Sequence, residues 1–146
     1  MKEDKEMGVW GVGSFENDIA LDWLFDFGEN DFRLIDRTLA GVAAMLNTDD
    51  LDVDEASEVL AAAECVAAAG SYPAATIPDE LQEWLNANFP IILKPDYVIM
   101  ARKAVQRVKT NSELQALWDE TDESEAWHTA VTDLQIRLAQ IAIPDS

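Results

Sequence analysis

Asp18 and Asp22 stand four residues apart, on one face of any helix that holds them, with Trp23 beside them; Glu64 sits in an alanine run that offers it nothing polar locally. Carboxylates placed this way can do acid/base work, because burial or a like-charged neighbour shifts their proton affinity toward neutrality. They can equally be neutralised by a cation, and Arg33, Arg37, Arg102 and Arg137 are available. Ion pairing is the commoner use of such groups in helical proteins, so it is the preferred reading and no catalytic residue is assigned. If a ligand pocket exists, Trp10, Asp18, Asp22, Trp23 and Glu64 are the residues expected to converge on it.

Other patterns imitate known sites and fall short of them. Gly11-Val12-Gly13 lacks the third glycine of a dinucleotide loop, since Glu16 stands there, and no Gly-Lys-Ser/Thr ending follows. Asp50-Leu51-Asp52-Val53-Asp54 alternates carboxylates like a calcium loop, but Glu55 takes the place of the turn-forming glycine and Ala61 that of the bidentate glutamate. An acidic lead into a helix, favourable with the helix dipole, accounts for it better. Glu125-Ala126-Trp127-His128 has Glu-x-x-His spacing, yet His128 is the only histidine and a helical di-iron site needs two such motifs. It reads as a flank residue. The single cysteine, Cys65, lies in Ala-Glu-Cys-Val-Ala and reads as a buried structural thiol. No metal site and no cofactor is expected.

With 146 residues and 49% hydrophobic content, the chain can bury one core, so a single domain is expected. No apolar run approaches the roughly 18 residues of a membrane span, and the start leads into no signal-like stretch, which favours a cytoplasmic protein. The net charge of −19 is unevenly spread. From Thr38 to Leu93 there are ten Asp or Glu and no Lys or Arg; between Lys94 and Lys109 five basic residues face Asp96 alone. Nucleic acid is a poor partner for such a chain, because its binding depends on neutralising phosphates. A basic protein is a better one.

Apolar spacing sets out the elements that must position these residues. A first helix over about Asn17 to Phe27 aligns Ala20, Trp23, Leu24 and Phe27, with Asn17 or Asp18 as its cap and Gly28 at its end. Phe32, Ile35, Leu39, Val42 and Leu46 make a second, hairpinned on the first. The alanine-rich third ends near Gly70; its small side chains allow close approach, so it is expected at the centre of the bundle. Pro78 opens a fourth with Leu81, Trp84 and Leu85. The connector through Phe89-Pro90-Ile91-Ile92-Leu93 is expected to be buried, because exposed apolar strips are uncommon. Pro95 begins a fifth with Val98, Ala101, Val105 and Val108, Ser112 caps a short sixth, and Trp127, Val131, Leu134, Leu138 and Ile141 form the seam of the last. No strand pattern emerges, so the fold class is all-α: a bundle of six to seven helices with a Gly/aromatic-rich N-terminal arm packed on it.

The opening, Met7-Gly8-x-Trp10-Gly11-x-Gly13-x-Phe15-x-Asn17-Asp18-x-Ala20-x-Asp22-Trp23, resembles that of a bacterial family known as domain of unknown function 4259. The 61–67 run Ala-Ala-Ala-Glu-Cys-Val-Ala, Ser112-Glu113-Leu114 with Leu117-Trp118, and Leu134 with Arg137-Leu138 resemble it too. The resemblance implies a small bacterial cytoplasmic protein whose family start lies near Met7, so 1–6 is expected to be a flexible extension of a domain over 7–143, with 144–146 a tail; it implies no reaction.

Two functional expectations follow. The leading one is a non-enzymatic acidic module that binds a basic protein, in the manner of an immunity or antitoxin-like inhibitor. The alternative is a ligand-binding protein or enzyme with a carboxylate-lined pocket near the N-terminal motif. Monomer and homodimer both remain open.

Overall fold

The computed structural model describes residues 11–30 and 32–143, the side chains of residues 29 and 30 excepted. Within them the chain forms seven helices and no strand: α1 Asp18–Asn30, α2 Phe32–Ala43, α3 Val53–Ala69, α4 Asp79–Ala87, α5 Pro95–Thr110, α6 Glu113–Asp119 and α7 Ser124–Gln140. The 1–6 extension and the 144–146 tail fall outside the described residues. No helix among the described residues is long and apolar enough to cross a membrane.

The bundle is organised around α3, which packs against each of the other six helices. Its alanines, from Ala61 to Ala63 and at Ala67 and Ala68, are buried on nearly every side, and this is what lets so many neighbours approach. Asp52 caps it by accepting the Glu55 N–H at 2.8 Å. Cys65 is buried within it, as its setting suggested, and burial followed by the charge of Glu64 pushes its thiol well above the usual range.

Asn17 caps α1, its Oδ1 accepting the Ala20 N–H at 2.8 Å, and Ala20, Trp23, Leu24 and Phe27 are buried. Gly28 does not end this helix, which runs on to Asn30. A glycine inside a helix costs only about 1 kcal/mol. Packing outweighs that: Phe27 stacks on Trp23 at 5.5 Å and meets Trp84 at 4.8 Å. On α2, Leu34, Ile35, Leu39 and Val42 are buried, but the helix stops at Ala43, so Leu46 leaves the expected stripe and is 67% exposed.

The α5 helix has Pro95 at its first turn and buries Val98, Ala101, Ala104, Val105 and Val108. Ser112 caps α6 through the Gln115 N–H at 3.0 Å, and Trp127, Val131, Leu134 and Leu138 line the buried side of α7. The connector before α5 departs from expectation. Leu93 packs on the core beside Gly70, whereas Phe89 and Ile92 are 81% and 92% exposed. A short non-helical segment leaving a nine-residue helix can turn only some of its side chains inward, so the run does not bury as a unit.

Candidate functional site

Glu64 is the buried carboxylate of α3, with 6% of its side chain exposed. It faces Arg137 of α7, whose Nη1 donates to Oε1 at 2.8 Å and whose Nη2 donates to Oε2 at 3.1 Å. This bidentate pairing holds the acid in place with two parallel charge-assisted bonds. Ser14 of the lead-in donates its hydroxyl to the same Oε2 at 2.9 Å. Arg137 is engaged further, by Asp133 Oδ2 at 2.8 Å one turn earlier on α7 and by the Tyr72 carbonyl at 3.3 Å. Burial alone would lower the affinity of Arg137 for its proton, but the hydrogen bond and charge of Glu64, then those of Asp133, more than offset it and raise the pKa. The guanidinium is therefore permanently charged.

This cluster lies against a cleft of about 540 Å³ between the lead-in, the loop before α4, α3 and α7. Ser14, Phe15 and Glu16 contribute from the lead-in, Thr76, Ile77 and Pro78 from the loop, and Glu64, Asp133 and Arg137 from the helices. The lead-in is itself shaped by Glu16, which accepts the Gly13 N–H at 2.9 Å. A Cβ at Gly11 would fall 2.5 Å from that carboxylate, so any larger residue there would push the Glu16 side chain out of this position. Val12 and Phe15 pack on the core, which fixes the lead-in from residue 11 onward against the helices.

The expected binding residues are distributed rather than gathered. Glu64 lines this cleft. Trp23 is buried on α1, donates Nε1–H to Thr38 Oγ1 at 2.9 Å, and lines a second cleft of about 310 Å³ with Arg37, Glu55 and Glu58. Asp18 and Asp22 are exposed on α1 and line neither cleft. Trp10 lies outside the described residues. Of the four arginines offered to Glu64, Arg137 takes it; Arg102 instead donates to the Leu138 and Ile141 carbonyls at 2.9 and 3.0 Å, closing the end of α7. Among residues not expected, Asp133 was signalled by its four-residue spacing from Arg137. Ser14 and Thr76 carried no such signal, since their contacts with the cleft are made by the fold.

His128 is a partly exposed flank residue, its Nε2 2.8 Å from Asp119 Oδ1. No group of three or more metal-ligating side chains is gathered among the described residues.

One protein family matches residues 8–130, the family described as a domain of unknown function, DUF4259. The chain belongs to it. Neither the curated proteins nor the solved structures hold a match to this DUF4259 protein. The matched span takes in the lead-in and Glu64, while Asp133 and Arg137 lie beyond it.

Proposed function

We propose that this DUF4259 protein is a non-enzymatic, bacterial cytoplasmic interaction module whose acidic surface engages a basic protein partner, in the manner of an immunity or antitoxin-like inhibitor. One observation carries the reading. Of the ten carboxylates between Thr38 and Leu93, eight are exposed: Asp49, Asp50, Asp52, Asp54, Glu55, Asp79, Glu80 and Glu83. Among the described residues none of these eight forms an ion pair with the five basic residues that follow, which they also outnumber. Arg102 is committed to backbone carbonyls of α7, Arg107 to those of Leu46 and Asp49, and Lys109 to the side chain of Gln135, while Lys94 and Lys103 are exposed. The negative field is thus left outward, and such a field raises encounter rates with a cationic partner. Phe89 and Ile92, exposed just after the acidic turns of α4, would give that partner an apolar anchor.

Capture of the partner at low and high salt tests this, with the Asp79→Asn, Glu80→Gln, Glu83→Gln triple variant alongside. Loss of capture in high salt and in the variant is expected; capture indifferent to both would contradict the reading.

A second reading is favoured by the cleft over Glu64 and Arg137. Its volume of about 540 Å³ falls in the roughly 300–1,000 Å³ range of small-molecule sites, and its lining mixes apolar walls with fixed polar groups. On this reading the cleft holds a ligand.

A further inference from the structure

The choice of ligand follows from which charges in the cleft are already satisfied. Arg137 spends its guanidinium on Glu64, Asp133 and the Tyr72 carbonyl. An anion entering the cleft would have to displace Glu64, stranding a buried carboxylate without its partner. The carboxylates at the rim are placed differently. Asp133 and Glu16 are exposed, and each gives one oxygen to an internal bond, Asp133 Oδ2 to Arg137 Nε and Glu16 Oε1 to the Gly13 N–H. With Glu64 and Arg137 cancelling each other, these two rim groups set the sign of the cleft. Phe15 and Ile77, half-buried, give the same cleft an apolar lining.

We propose that this cleft binds an organic cation, an ammonium or guanidinium group carried on a short apolar stem. The proposal rests on the second reading above, that the cleft holds a ligand. The cationic head donates charge-assisted hydrogen bonds to Asp133 and Glu16 while the stem lies along Phe15 and Ile77. The same chemistry is carried by a free amine and by a lysine or arginine side chain of a protein.

Calorimetric titration with four probes tests it: butylamine, its neutral counterpart butanol, its anionic counterpart butyrate, and a short peptide blocked at both ends whose only charge is one lysine. The protein is used whole, as wild type, as the Asp133→Asn, Glu16→Gln double variant, and as Asp36→Asn, an exposed charge on α2 outside the cleft. Both substitutions in the double variant are near-isosteric and exposed, and melting curves verify its fold. Butylamine is expected to bind wild type and Asp36→Asn alike and to bind the double variant about tenfold more weakly, the loss expected when charged hydrogen bonds become neutral ones. Butanol and butyrate are expected not to bind. Binding of the peptide as well as butylamine would assign the cation to a protein side chain; binding of butylamine alone would assign it to a free amine. Butanol or butyrate binding as well as butylamine would overturn the cation assignment and leave the ligand cleft standing. No binding by any probe would overturn both, and equal weakening in Asp36→Asn would reduce the effect to diffuse surface attraction.

Discussion

Two carboxylates in this molecule meet a nitrogen-bearing side chain at the same separation, 2.8 Å, in opposite circumstances. Glu64–Arg137 is 6% and 11% exposed; Asp119–His128 is 37% and 33% exposed. Distance therefore says little about what each pair does. In the first, most of the surrounding water has been removed from both charges, so either one left without its partner is costly. In the second, water can replace either partner, and the pair adjusts local titration more than it holds the fold. Asp119 shows this: hydrogen bonds from Ser124, then Gln115, then His128 hold its carboxyl at about 2, although it lies at the surface.

The largest effect expected from this contrast is at the buried pair. Arg137→Ala or Glu64→Ala should each destabilise the protein by about 3–5 kcal/mol in urea unfolding, since each strands a buried charge. Combining the same two substitutions, Glu64→Ala with Arg137→Ala, should cost clearly less than the sum of the singles. A double variant as unstable as that sum would show that the two charges are not energetically joined.

Ser14→Ala comes next. It removes one hydroxyl donor from Glu64 while Arg137 remains, and should cost about 1 kcal/mol. Protection of the amides near residue 14, read by hydrogen exchange, should fall with it while α3 is unaffected.

Glu58 should give a smaller effect of opposite sign. Its pKa is raised above the ordinary 4.5, first by burial and then by Asp54, Glu55 and Asp52, against the lowering influence of Arg37. A raised carboxylate penalises the fold once it ionises, so stability linked to it is full below pH 4.5 and declines as pH rises through the folded-state pKa. Glu58→Gln should raise the melting temperature at neutral pH and leave it unchanged in acid.

Asp119 should give the smallest effect, with the pH dependence reversed. Its pKa is lowered from 3.8 to about 2, so its contribution is present above pH 3.8 and lost as pH falls through 2. Asp119→Asn should melt slightly lower than wild type at neutral pH, with the two curves merging near pH 2.

Much of the architecture was legible in the residues. The stripes of α1, α5 and α7, the central place of α3 and the Ser112 cap all follow from spacing and side-chain size, which act locally. The need of Glu64 for a partner was legible for the same reason, because an alanine setting supplies none. Its identity was not, since four arginines had equal claim until the fold brought α7 against α3. Gly28 misled because glycine permits a helix end without requiring one: its cost inside a helix is only about 1 kcal/mol, and this helix continues to Asn30. Phe89 and Ile92 misled because an apolar run predicts burial only for an element that can turn one whole face inward. Trp23 and Glu64 are both buried, but they line separate clefts, a matter of tertiary placement that sequence spacing does not encode.

The division of charge into one internal pair and an open acidic exterior is tested most directly by measuring pairwise coupling at two ionic strengths. Double-mutant cycles for Glu64–Arg137 and for Asp119–His128, run in low and high salt, should show the first coupling retained and the second screened away. Equal loss of both couplings in high salt would mean that water and ions reach Glu64 as freely as the surface, contradicting the account.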